Sequence, residues 1–256
     1  MKARVFGALL LRDVIVARRE IVMLLVRTAL QPVLFVVVFG YVLPSIGMIP
    51  GGYSTTIMPG VTALCLTMAS IWAVAMPLIT DFGFTKEIED RLLAPVPIEL
   101  IAIEKVVSGI FQGIFAAMIV LPLARLIMGP VPGLSYDHPF LLILMVIMAC
   151  ATFSSLGLCF GTALEPQQVS IMMSVFFVPM IMFGCAYFPW RGLDRVPVLK
   201  YAVLLDPLVY VSEGLRSALT PGVPHMPLPA ILGALTALTA LFLTLGLKAF
   251  RKRSIT

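Results

Sequence analysis

Apolar residues along this chain gather into six long stretches, at 22–43, 57–80, 106–128, 140–163, 169–188 and 230–247. A helix needs about 20 mainly apolar residues to cross the hydrocarbon core of a bilayer. The pattern therefore predicts an all-α membrane protein with six transmembrane helices. The last stretch is the shortest and would draw on Lys248 and its neighbours to reach the interface. Ahead of the first span, Phe6, Leu10, Val14, Ala17 and Ile21 recur on one stripe of a helix, while Arg4, Arg12, Arg18 and Arg19 fall largely off it. Such a segment is too charged to insert but amphipathic enough to lie among headgroups, so residues 1–21 are expected to form an interfacial helix.

The polar interruptions are unequal. Residues 81–105, DFGFTKEIEDRLLAPVPIELIAIEK, hold nine of the 31 formal charges (18 basic, 13 acidic). Within them, 85–93 reads as a short helix with Thr85 as N-cap, Ile88 and Leu92 on one face, and Glu87, Asp90 and Arg91 on another. Pro95 and Pro97 end it, and IELIAIEK leads back towards the membrane. Plain connectors between spans are short; a capped, charged helix suits a surface gripped by something soluble. Lysine and arginine set the orientation. With both ends cytoplasmic, thirteen of the 18 lie inside, from Lys2 to Arg253, and Arg125, Arg191, Arg195, Lys200 and Arg216 remain outside. The loop then faces the cytoplasm.

Residues 189–229 contain two apolar pieces, VPVLKYAVLL and PLVYVSEGLRSAL, broken at Asp206-Pro207. Neither reaches spanning length without a charge. Pro207 suits the first turn of a new helix and Asp206 can cap it. Two short helices that dip in and return fit better than a seventh span, which would carry Arg251, Lys252 and Arg253 outside. Backbone of that kind is tolerated only where protein or a water-filled cavity covers it, so this element is expected at the outer mouth of a pathway.

Composition narrows the functional classes. The chain is 60% hydrophobic and 12% charged, with a mean hydropathy of +1.06, against about 25% charged in soluble domains. The net charge of +5 reads as anchoring to anionic headgroups, because the cationic residues cluster next to span ends; no basic stripe alternates with aromatics, which disfavours nucleic-acid binding. Cys65, Cys150, Cys159 and Cys185 all lie in apolar runs without metal-ligand spacing, and His138 and His225 lie outside the spans. Arg12 and Asp13 interrupt the first apolar stretch, so a cleavable signal peptide is not expected.

Spans two, four, five and six carry no Asp, Glu, Lys, Arg or His. A charge at mid-membrane costs about 3 kcal/mol and marks ion or proton relays; ion-coupled transport is disfavoured accordingly. Arg27 and Arg125 lie near span ends, where long stems snorkel. Ser154 and Ser155 have no base in reach, which disfavours an intramembrane hydrolase. No G-x-x-x-x-G-K-[ST] occurs, so the chain lacks a P-loop. Uphill movement of a solute would need work from another polypeptide.

EIEDRLLAPVPIELIAIEKV resembles the cytoplasmic loop of ABC-2 type exporter permeases, and DPLVYVSEGLRSAL (206–219) is similar to the Asn-Pro-Leu-Thr-Tyr-x-x-Glu-x-x-Arg-like element before that family's last span. This chain has Asp206 at the usual Asn and Val209 at the usual Thr or Ser. The order and spacing of elements resemble the family over nearly the whole chain, nearest to its drug, lipid or Nod-factor-like glycolipid exporters. The resemblance implies one transmembrane domain over 1–256: interfacial helix 1–21, spans one and two within 22–80, cytoplasmic coupling loop 81–105, spans three to five within 106–188, extracytoplasmic re-entrant region 189–229, span six at 230–247 and a cytoplasmic tail at 248–256. It implies a non-catalytic, multi-pass subunit of the cytoplasmic (inner) membrane, paired with a second protomer, in contact with lipid and driven by a separate ATPase that binds ATP and Mg. No cofactor is expected in this chain.

On that reading Glu87, Glu89, Asp90 and Arg91 form the coupling helix, and Arg12, Arg18 and Arg19 of the interfacial helix make a second contact. Asp206, Pro207, Tyr210, Glu213 and Arg216 mark the re-entrant element, where Glu213 and Arg216, spaced i, i+3, can pair. Walls without charge suit a hydrophobic, amphipathic or lipid-linked cargo, with Met68, Trp72, Met172, Met173 and Phe176 as candidate pathway residues. A membrane-embedded lipid-modifying enzyme and a passive membrane anchor for a cytosolic ATPase are the alternatives.

Overall fold

The computed structural model describes residues 34, 36–47, 53–85, 97–128 and 133–255, and among them every regular element is helical. Residues 1–21, most of the first predicted span at 22–43 and residues 86–96 of the charged loop lie outside the described residues. Of the first span, α1 is seen as a π-helical Val36–Val42 passing into Leu43–Ser45. Then follow α2 (Tyr53–Thr80), continued by a π turn at Asp81–Thr85, α3 (Ile98–Met128) and α4 (Pro139–Ala163). The next helix, α5, is irregular: it opens as 3-10 at Pro166–Gln168, runs α-helically through Val169–Met172, widens to a π turn at Met173–Phe177 and closes with Val178–Phe183. Two short helices, α6 (Pro197–Ala202) and α7 (Pro207–Leu219), precede α8 (Leu228–Ile255). Proline opens α4, α6 and α7 because its fixed φ suits a first turn whose N–H has no helical partner.

Five of these helices are long and apolar enough to cross a membrane: Thr55–Gly83, Ile98–Ile127, Pro139–Ala163, Pro166–Phe183 and Leu228–Ser254. Their ends differ from the hydropathy pattern for physical reasons. α3 begins at Ile98 rather than at 106, because Ile98, Ile101, Ala102 and Val106 form one helical stripe packed in a cluster with Leu78, Leu158 and Phe250. Glu104 and Lys105 are consequently buried, with 3.8 Å between their charged ends. α8 continues beyond 247 to Ile255, since Phe250 is wholly buried and Arg253 has partners on α4. α5 stops at Phe183, short of 188, where the backbone turns and Cys185 takes a positive φ of 53°.

The interior is held by close backbone approach and by hydroxyls that bond their own helices. At Gly157 of α4 an added Cβ would lie 2.8 Å from the Ile71 carbonyl oxygen of α2, a packing that small residues permit. Thr62, Thr67, Ser155 and Thr162 donate to carbonyls one turn back, at 2.7–2.9 Å. Thr152 also meets Thr239 at 2.7 Å and joins α4 to α8. Trp72 of α2 stacks on Phe177 of α5, with centroids 5.5 Å apart.

The bundle has two distinct ends. α2 starts beside Glu213 and Arg216 and finishes at Phe82; α8 starts beside Glu213 and finishes beside Phe82. Between the close of α5 and the start of α8 the chain stays at the Glu213 end, and α7 is laid against α2, α4 and α8.

Candidate functional site

At the Glu213 end, α7 is a 13-residue helix of which all but Tyr210 is buried. Asp206 caps it: Oδ1 accepts from the Leu208 N–H at 2.8 Å, and Pro207 occupies the first turn. One turn in, the Tyr210 hydroxyl donates to the Leu204 carbonyl at 2.9 Å. Glu213 and Arg216 lie on one face and form an ion pair in which neither side chain is exposed at all. Burial on that scale is tolerable only if the remaining lone pairs and N–H groups are also met.

Most of them are. Glu213 Oε1 accepts from the Trp190 N–H at 2.9 Å as well as from Arg216, and Oε2 accepts from the Met226 N–H at 2.8 Å. Arg216 Nη2 donates to the Cys185 carbonyl at 2.9 Å and, more loosely, to the Thr56 carbonyl at 3.4 Å. Burial pulls the Arg216 guanidinium below its ordinary value, and Glu213 opposes that pull; the group stays cationic. Two side chains thus tie the start of α2, the turn after α5, α7 itself and the approach to α8. The tie to Cys185 also holds a non-glycine residue in left-handed backbone, a conformation that persists only when its surroundings impose it. Above this hub, Trp190 Nε1 donates to the Lys200 carbonyl at 3.1 Å, and the Lys200 ammonium lies 4.4 Å from the Trp190 ring centroid and 2.7 Å from Asp194.

Along the closing half of α5 a cavity of about 330 Å³ opens against residues 199–207. Phe176, Pro179 and Met180 wall one side, with Leu199, Val203 and Asp206 on the other. Desolvation pushes the Asp206 carboxyl up to about 7, against the lowering effect of the Leu208 N–H.

The opposite end is organised around Phe82, in the π turn that opens the charged loop. Its ring meets Phe250 of α8 edge-on at 5.7 Å, and the Arg253 guanidinium lies 4.7 Å from its centroid. Arg253 donates from Nη1 to the Thr162 and Leu164 carbonyls, at 2.8 and 2.9 Å, capping the end of α4 where its dipole favours a cation. Gly83 lies so close to Pro166 that an added Cβ would fall 2.4 Å from the ring. The first turn of the charged loop is therefore clamped to the ends of α4 and α8 and the beginning of α5.

The sequence-derived candidates divide accordingly. Glu87, Glu89, Asp90 and Arg91, and Arg12, Arg18 and Arg19, lie outside the described residues. Asp206, Pro207, Tyr210, Glu213 and Arg216 come together in and around α7. Of the pathway candidates, Met172 is buried in the core, and Met68 and Trp72 pack against it. Met173 and Phe176 are exposed on α5. The backbone partners of the ion pair, at Thr56, Cys185, Trp190 and Met226, and the Phe82–Arg253 clamp carry no sequence motif. Only tertiary packing reveals them.

The amino-acid sequence has relatives among known proteins. Inner membrane transport permease YadH of Escherichia coli strain K12 is 26% identical over 233 residues, covering 85% of this chain and 84% of the relative. Proteins of the same name from Escherichia coli O157:H7 and Shigella flexneri match to the same extent. The model of the ABC-2 type transporter family matches residues 4–220, a stretch that takes in α2 to α7. The chain belongs to the ABC-2 type transporter family.

Proposed function

We propose that this chain is an export permease of the inner membrane. Two copies would form the transmembrane pathway for a hydrophobic, amphipathic or lipid-linked substrate. A separate ATPase, carrying ATP and Mg, supplies the work through the cytoplasmic loop. In this reading Glu87, Glu89, Asp90 and Arg91 dock in the ATPase, the 1–21 helix with Arg12, Arg18 and Arg19 makes a second contact, and residues 189–229 form a re-entrant cap at the outer mouth. The observation that carries it is the clamp around Phe82. A loop that only joined two spans would have no need to engage three other helices, whereas one that delivers force needs a stiff connection to the elements it moves. Aromatic packing of Phe82 on Phe250, with Arg253 over the ring and bonded to the end of α4, gives such a connection.

The test is reconstitution of the chain with its ATPase in proteoliposomes. Replacing Glu87, Asp90 and Arg91 together by Ala is expected to abolish ATP-dependent export by at least tenfold while leaving the permease folded. Export that persists in the triple variant overturns the coupling assignment; transport or chemistry by the chain without ATPase overturns the permease reading itself.

A further inference from the structure

The cavity beside α5 holds a feature that membrane transport in general does not require. Among the described residues Asp206 is the only ionisable one in its wall, and the rest of that lining is apolar. One carboxyl oxygen is spent on the helix cap. The other, Oδ2, is buried and has no hydrogen-bond partner among the described residues. A buried acceptor without a donor is costly, and such an exception calls for a reason. The cap alone does not require the charge: Asn and Ser cap helices about as well as Asp, which leaves the carboxylate open to a second role.

The surroundings indicate what. Phe176 and Phe183 contribute aromatic carbon to the wall, and ring faces attract alkylated ammonium groups. Among the described residues no Lys, Arg or His lines the space to neutralise the carboxylate. Apolar walls with one acidic anchor are the complement of a cationic amphiphile, and about 330 Å³ is within the range of small-molecule sites.

We propose that the cavity between α5 and residues 199–207 is a binding site for an ammonium-bearing amphiphile, with its cation at Asp206 and its apolar body against Phe176, Met180 and Leu199. A donating N–H at Oδ2 would supply the missing hydrogen bond, and the positive charge would favour the ionised carboxylate that burial alone disfavours. That the occupant is cargo rests on the export reading; the binding does not.

The test is run on the full chain in nanodiscs of phosphatidylglycerol with no ATPase present, so its outcome is separable from that of the transport assay. The probe is 4-phenylbutylammonium, with neutral 4-phenylbutanol as its counterpart, both titrated calorimetrically against empty nanodiscs. Wild type is expected to bind the ammonium at least about tenfold more tightly than the alcohol, and Asp206→Asn, which keeps the capping oxygen, to erase that difference. Leu199→Trp, which fills the space, is expected to remove binding of both. Equal affinity for the two probes in wild type, or ammonium binding unchanged in D206N or L199W, overturns the site. Repeating the titration with phosphatidylethanolamine present separates two sources of the same chemistry. Weakened probe binding identifies an aminolipid headgroup as occupant, and unchanged binding a free amphiphile.

Discussion

Glu213 accepts hydrogen bonds from Trp190, Arg216 and Met226, and no other side chain of its length can take all three. A Gln side chain has one acceptor oxygen, so its NH₂ would face a buried donor. Glu213→Gln is therefore expected to lower the melting temperature of the detergent-solubilised chain. Arg216→Met should cost more, about 3–5 kcal/mol, because it strands the carboxylate without its partner. Replacing both residues by apolar ones of similar volume should recover part of that loss, a non-additivity that a double-mutant cycle measures directly. Asp206 behaves in the opposite sense. Its folded-state value of about 7 lies above that of an unfolded aspartate, about 3.9. The folded chain therefore holds more protons across that interval, and the stability Asp206 contributes falls as pH rises from about 4 to about 7. Asp206→Asn cannot titrate, keeps the cap, and should overtake wild type at about pH 8 by on the order of 1–4 kcal/mol. A D206N-minus-wild-type difference that stays flat with pH would refute this account of Asp206.

Among the elements, the glycine of α2 that meets the turn after α5 is the most constrained. A Cβ on Gly60 would fall 1.8 Å from the Ala186 carbonyl oxygen, whereas Gly222 and Gly233 have nothing within 4 Å. Gly60→Ala should thus destabilise by about 1–3 kcal/mol, and Gly233→Ala should be neutral or slightly stabilising, since it removes backbone freedom within α8. Thermal unfolding of the two variants side by side checks the contrast. The elements also show what the residue pattern reveals and where it stops. Long apolar runs locate α2, α3, α4, α5 and α8 because lipid and protein interior select the same side chains. Their ends escape the pattern, since Glu104 and Lys105 read as loop yet lie inside the bundle, and Arg253 reads as tail yet closes α4. The i, i+3 spacing of Glu213 and Arg216 is legible on a helix face. Their partners at Thr56, Cys185, Trp190 and Met226 are not, being backbone groups brought in from three other segments. The Asp206 cavity is equally silent, because it exists only where α5 passes residues 199–207.

At the scale of the molecule, the two ends are built differently. The Phe82 end is a joint of aromatic faces and helix-end carbonyls, through which, on the proposed function, displacement would enter. The Glu213 end is a single buried hub from which several segments radiate. That hub has a kinetic signature. The amides of Trp190 and Met226 sit in different loops, on either side of α7, yet both are held by one carboxylate. Any fluctuation that withdraws Glu213 frees the pair together, and a loop that loosened alone would leave the buried carboxylate short of a donor. Deuterium should therefore enter both positions in step, at a common slow rate, while the exposed backbone around Arg191 exchanges early.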